Sequence, residues 1–304
     1  MEWFDLSLLN STLRMVTPIL LAALGGSICT KVGIFNVGLE GLVLVGAFSA
    51  IVGNHLTGSV FLAVLFAAAV TAAVSLIFGY TAIHLKANQI VAGIAINFLA
   101  LGGTTFALRT IFNVKGAYYD KNMAGLPKLH LPVIENIPVL GKILSGQSLL
   151  VYVAFLIAIL LYFFFYRTVA GFRFLAAGMN ETASRSLGLK VTTIQYSAVI
   201  LCGVLCGLAG AQLSLGQVTM FTEGMTAGRG FIALVAMMLG QSHPIGVMAA
   251  SLLFGLMDAL SIRLQGFSMP TQFTAMLPYV ITLLAMFFLR DKGMGSQNQQ
   301  QSSR

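Results

Sequence analysis

The sequence predicts an all-α polytopic membrane protein with about eight to ten membrane helices, some of them short or broken, on three observations. Hydrophobic residues fill 58% of the 304 positions and charged residues only 9%, whereas a soluble domain carries about a quarter charged residues to keep its surface solvated. Residues 56–83, 148–166 and 266–289 contain no Asp, Glu, Lys or Arg, and an α-helix needs roughly 20 apolar residues to cross a hydrocarbon core. None of these runs alternates polar with apolar residues as a lipid-facing barrel strand does, and a helix satisfies its backbone within one segment.

In order, the candidate membrane segments are 12–30, 37–53, 58–84, 89–112, 148–167, 193–216, 229–242, 244–262 and 275–290, some too short to span alone. They make up a single transmembrane domain over residues 1–304. Two hydrophilic stretches interrupt it. Residues 113–147 hold Pro127, Pro132 and Pro138 with four lysines and two acids, and Arg167 to Lys190 sets Arg167, Arg173, Arg185 and Lys190 against Glu181 alone. One span separates the two stretches, so they fall on opposite sides. With the second inside, Lys31, Lys86, Arg290, Lys292 and Arg304 are inside too and the acids Glu2 and Asp5 outside, in keeping with the positive-inside bias. Residues 113–147 are therefore expected as an extracytoplasmic loop, 168–192 as a cytoplasmic loop and 291–304 as a cytoplasmic tail. The acidic start also reads as no cleaved signal. The net charge of +8 is spread over loops rather than gathered on one face, which argues against a nucleic-acid partner.

Two regions are apolar yet broken by glycine, Gly33 to Gly53 and Gly228 to Gly255. Glycine lets helices break or pack closely, and interrupted segments at matching places in two halves point to a binding site between repeats. A diverged internal repeat and ordinary glycine-rich packing account for them equally well.

An acid inside a membrane span costs about 2.5–3.5 kcal/mol, so Glu40 and Asp258 need polar partners, water or a boundary position, and both are candidates to line a pathway. Glu40 reads either as a gating group or as an acceptor for the free amides of a broken helix, with Asn36 four residues earlier on the same helical face. Asp258 reads as a pathway group or as half of an ion pair with Arg263. Arg229, between two glycines, is expected at a helix start near the outer face, meeting a substrate hydroxyl or a lipid phosphate. Asn88 and Asn97 carry amides that suit sugar hydroxyls and base edges and equally suit helix packing, and Phe98 can stack on a base or face lipid. Cys29, Cys202 and Cys206 read as small packing residues. No HExxH, phosphate-cradling GxxxxGK[ST] or paired-carboxylate pattern is present, so no catalytic or metal-binding residue is assigned and any ATP used is bound by another chain.

Residues 178–188 read GMNETASRSLG and resemble the cytoplasmic G-x-N-x-x-A-x-x-x-x-G loop of permeases in the branched-chain amino acid, ribose and nucleoside branch of ABC importers. Residues 33–41, GIFNVGLEG, are similar to the early signature of that family, and 228–233, GRGFIA, with Leu239-Gly240, Pro244 and Leu253-Phe254-Gly255, to its late one. The similarity runs from about residue 13 to 290, and its early and late motifs look most like nucleoside and simple-sugar permeases. Ser184 stands where relatives often carry alanine, a small-residue change.

The resemblance implies the permease subunit of an ATP-driven importer in the cell membrane, carrying nucleosides first and simple sugars second. Its loop would form a coupling helix docked on the ATPase, with Gly178, Asn180, Glu181, Ala183, Arg185 and Gly188 as the coupling residues, Asn180 or Glu181 as its cap and Arg185 meeting acids on the partner. It further implies no cofactor on this chain, ATP and Mg on the ATPase, a second permease subunit that is similar but not identical, and an extracytoplasmic substrate-binding lipoprotein. The rival from another class is an ion-coupled transporter in which Glu40 or Asp258 binds a proton or cation.

Overall fold

The computed structural model describes residues 6–120, 123–129 and 145–265. The candidate segment 275–290, the tail 291–304 and residues 130–144 of the first hydrophilic loop lie outside the described residues. The other eight candidate segments all fall on helices. These are α1 (Leu6–Lys31), α2 (Leu39–Thr57), α3 (Val60–Gly79), α4 (Gln89–Phe112), α5 (Leu149–Arg167), α8 (Val191–Ala211), α9 (Arg229–Leu239) and α10 (Pro244–Gln265). The second hydrophilic loop contains two more helices, α6 (Val169–Met179) and α7 (Glu181–Ser186), and α7 lies within the stretch 178–188 where a short helix was expected. Wider π turns extend α3 through Tyr80–His84 and α8 through Gln212–Val218.

Seven of the described helices are long and apolar enough to cross a membrane, and α9, with 11 residues, is not. At 1.5 Å per residue α9 covers about 16 Å, half a hydrocarbon core. Apart from α10, which is 39% buried, the spanning helices form two groups. Within their most apolar windows α1, α2 and α8 are 83%, 78% and 78% buried, whereas α3, α4 and α5 are 22%, 22% and 28% buried. The first group is the core, and the second turns apolar faces such as Phe61, Leu65, Phe98 and Phe106 outward. Small residues let the core helices meet backbone to backbone: a Cβ on Gly46 of α2 would lie 2.9 Å from the Gly207 Cα of α8.

The chain does not pass from α1 to α2 by an ordinary loop. Ile34 N–H donates to the Cys29 carbonyl at 3.0 Å and Phe35 N–H to Gln89 Oε1 at 2.7 Å, so residues 32–38 fold back beside the last turn of α1 before α2 starts. This corrects the placement of Asn36 on one helical face with Glu40, because the helix begins only at Leu39. At the end of the bundle where α4 and α8 finish, two short antiparallel ladders tie the loops: Ala117–Tyr118 pairs with Phe221–Thr222, and Lys128–Leu129 with Gln147–Ser148. The first ladder fixes the connection that leads into α9.

Candidate functional site

The early and late glycine-rich motifs touch each other. Glu40, in the first turn of α2, accepts from Gly228 N–H on Oε1 at 2.9 Å and from Gly230 N–H on Oε2 at 2.6 Å. Those amides belong to the start of α9 and have no partner within their own helix. Of the two readings of Glu40, its role here is the acceptor for a broken helix. Gly230 is required for the approach, since a Cβ there would overlap the Glu40 backbone. The preceding turn is bent to fit: Ala227 and Gly228 both lie in the left-handed region, with φ of 46° and 83°, a conformation natural for glycine and strained for alanine.

The start of α2 is held in the same way from another side. Gly38 N–H donates to Asn36 Oδ1 and Gly41 N–H to Asn97 Oδ1, each at 2.8 Å. Asn97 also donates through Nδ2 to the Val37 carbonyl at 3.1 Å, so its amide is used at both ends. Asn36 Nδ2 points at Cys202 Sγ, 3.6 Å away. Gly41 packs on Asn97, the ninth residue of α4, so these contacts lie about 12 Å along that helix.

Each helix N-terminus carries roughly half a positive charge. Glu40 stands in the first turn of α2 and caps α9, so two such termini face a single carboxylate. Their sum offsets one negative charge, which is how an acid is accommodated in an apolar span with no ion-pair partner among the described residues.

Arg229, between the two glycines, extends to α10 instead. Its Nε lies 3.3 Å from Asp258 Oδ2, the two side chains being 20% and 18% exposed, and its Nη1 reaches the Met225 carbonyl at 3.5 Å. Two expectations are corrected here. The ion-pair partner of Asp258 is Arg229, not Arg263, because residues five apart on one helix point in different directions, whereas the start of α9 faces Asp258 directly. Arg229 opens α9 inside the bundle rather than near the outer face, because α9 is a half-length helix that begins at Glu40.

Of the remaining candidates, Asn88 caps α4, accepting from Ile90 and Val91 N–H at 2.9 and 3.3 Å, and Phe98 is 71% exposed on the outer side of α4. Neither joins the cluster. From the cluster α9 runs back toward the other candidate region, and Thr30 Oγ1 meets Met237 Sδ at 3.3 Å close to the end of α1. There Gly178, at the end of α6, abuts the Lys31 carbonyl, a contact that leaves no room for a Cβ.

The loop that follows is a short capped helix. Asn180 Oδ1 accepts from Ala183 N–H at 3.0 Å, which makes Asn180 rather than Glu181 the N-cap of α7. Ser184 Oγ donates to the Ala176 carbonyl at 2.9 Å and folds α7 back on α6, while Gly188 ends the turn at φ 79°. Arg185 is engaged within the helix, its Nη2 2.6 Å from Glu181 Oε1, with both side chains more than half solvent-facing or at that limit (57% and 50%). Sequence reasoning missed Met179 and Leu187, which flank α7 at 88% and 82% exposure. Their signal was present, as two large apolar residues in a basic loop with no core to enter.

A bundle of spanning helices in which a half-length helix meets the start of another at an acid, with a capped helix on a loop at one end, is the architecture of a membrane permease. The chain belongs to the family described as the permease component of branched-chain amino acid transport systems, whose model matches residues 8–286. It is 36% identical over 290 residues to the guanosine ABC transporter permease protein NupQ of Bacillus subtilis, covering 91% of this chain and 89% of that one. It is 35% identical over 289 residues to the nucleoside ABC transporter permease protein NupC of Lactococcus lactis, covering 91% and 90%. A solved chain of an inward-facing ABC transporter assigned to the metal-chelate type shares the fold, with a TM-score of 0.52 at 16% identity over 92% of this chain and 85% of that one. The protein is a multi-pass permease of the cell membrane.

Proposed function

We propose that this chain forms part of the translocation pathway for nucleosides in an ATP-driven ABC importer. Its partners are an ATPase that binds ATP and Mg, a second and non-identical permease chain, and an extracytoplasmic substrate-binding lipoprotein. The observation that carries this reading is near-full-length similarity to two permeases named for guanosine and for nucleosides. Residues 168–192 face the cytoplasm and dock on the ATPase through α7, where exposed Met179 and Leu187 offer apolar contacts and Gly178, Asn180, Glu181, Ala183, Arg185 and Gly188 give the loop its shape. Residues 113–147 face outward.

A mechanical route supports the coupling role. Motion of α6 and α7 bears on the end of α1 through Gly178 and Lys31, from α1 on α9 through Thr30 and Met237, and from α9 on Glu40. ATP binding then shifts the balance between two packings of α9 against α2, and the permease supplies their difference in stability. Glu40 already has both oxygens bonded to backbone amides, which favours this reading over an ion-coupled transporter, where the acid needs an open coordination site.

The test is uptake of labelled guanosine into cells that express the full complex, with and without the ATPase and with unlabelled nucleosides and ribose as competitors. Uptake that requires the ATPase and is displaced by nucleosides is the expected outcome. Displacement by ribose alone makes the chain a sugar permease, and ATPase-independent uptake that collapses with the proton gradient overturns the reading.

A further inference from the structure

We propose that Arg229 and Asp258 together bind the vicinal hydroxyls of the substrate as it passes, which makes the pair a specificity determinant inside the membrane. The inference rests on the proposed transport of nucleosides and names the part of the substrate that this site reads.

Three features of the pair lead to it. Asp258 is the fifteenth residue of α10, about 21 Å from the start of that helix, and Arg229 opens a helix that begins in the bundle interior. At that depth a charged side chain faces either a protein partner or water, because exposure to hydrocarbon is costly. Yet both side chains keep about a fifth of their surface open, 20% and 18%. On the proposed reading, that open surface meets water in a translocation pathway between two permease chains rather than hydrocarbon.

The second feature is unused bonding capacity. The contact is a single one, Nε to Oδ2 at 3.3 Å, long for a charge-assisted hydrogen bond and not the two-pronged pairing that Arg and carboxylate favour. Among the described residues Arg229 Nη2 donates to nothing and Asp258 Oδ1 accepts nothing. The pair thus keeps one guanidinium nitrogen and one carboxylate oxygen without a hydrogen-bond partner among the described residues.

The third feature is chemical fit. A hydroxyl both donates and accepts, so one hydroxyl of a vicinal diol can donate to Asp258 Oδ1 while its neighbour accepts from Arg229 Nη2. A nucleobase edge does not present two adjacent groups that each donate and accept. The site is therefore matched to a pentose, whether joined to a base or free. The same tripeptide, Gly228-Arg229-Gly230, gives its amides to Glu40 and its side chain to Asp258, so diol binding falls at the start of the helix that α1 touches at its other end.

The intact complex in proteoliposomes, with saturating binding protein and ATP, provides the test. Initial uptake of guanosine and of 2′,3′-dideoxyguanosine is measured for the native complex, for Asp258→Asn and for Arg229→Lys. The binding protein is common to all three, so its own preference cancels when the guanosine-to-dideoxyguanosine ratio of a variant is divided by that of the native complex. The expected result is a fall in this ratio of about tenfold, the effect of one hydrogen bond to a charged group. If Asp258→Asn fails to assemble, Arg229→Lys carries the same comparison, since lysine keeps a cation beside Asp258 and loses the forked second donor. Equal loss for both substrates makes the pair structural and overturns the inference. Absence of ATP-dependent uptake of any nucleoside by the native complex overturns the proposed function itself, and this inference with it.

Discussion

The cluster around Glu40 and the exposed helix α7 are built from the same parts, an acid, an arginine and a helix N-terminus, yet they differ in what surrounds them. In α7 the ion pair between Glu181 and Arg185 is short, 2.6 Å, and water-facing, with 57% and 50% exposure. In the cluster the pair between Arg229 and Asp258 is longer, 3.3 Å, but only 20% and 18% exposed. Distance alone ranks the α7 pair first, and solvent reverses the order. An exposed pair is worth about 0.2–1 kcal/mol because water and salt screen it and two long side chains must be held still. A part-buried acid that accepts two backbone amides, as Glu40 does, has less water at hand to replace them, so its loss leaves polar groups poorly satisfied. The geometry that looks stronger is the more expendable.

The largest effect that would test this contrast comes from Glu40→Ala. It removes the acceptor for Gly228 and Gly230 N–H, and two hydrogen bonds to a charged group are worth about 3–6 kcal/mol together. The thermal midpoint of the detergent-solubilised complex should drop sharply, and folded yield with it. Glu40→Gln should fall between, because the amide keeps one acceptor oxygen and turns an N–H toward the other backbone donor. Native-like stability of the alanine variant would remove Glu40 from its structural role.

A smaller loss is expected from Gly230→Ala, whose Cβ overlaps the Glu40 backbone, at about 1–3 kcal/mol for overpacking. The same change at Gly102, mid-helix in α4 with nothing within 4 Å, is the control. There alanine should leave the midpoint unchanged or raise it, by up to about 1 kcal/mol of helix propensity. Equal effects at the two glycines would mean that the contact with Glu40 is unimportant.

The smallest effect is expected at α7. Arg185→Ala should shift stability by about 0.3 kcal/mol, discounted for exposure, and the shift should vanish in high salt. A loss comparable to that of Gly230→Ala would show that Arg185 has a role beyond its contact with Glu181.

Much of the architecture was legible in the chain. The apolar runs placed all eight candidate segments that fall on described residues, with α4 matching residue for residue at Gln89–Phe112, because a lipid-spanning helix must be apolar over a length fixed by the membrane. The site was legible as residue types but not as pairings. Glu40 stood out because an acid in an apolar run demands a partner, yet nothing local to it indicates Gly228 and Gly230, nearly two hundred residues away. Asp258 stood out for the same reason, and the near candidate Arg263 gave way to Arg229.

By itself, then, the sequence determined the solvent, the places of the eight candidate segments that fall on described residues, and which polar residues needed explanation, since each follows from local composition and helix geometry. Tertiary structure alone decided that residues 32–38 fold back, that α9 is a half-length helix beginning inside the bundle, and that Glu40 binds two amides while Arg229 turns to Asp258. The physical reason is that a helix declares its length and polarity residue by residue, whereas a broken helix end has unsatisfied groups that any suitable acceptor can fill. Which acceptor fills them depends on how distant segments pack.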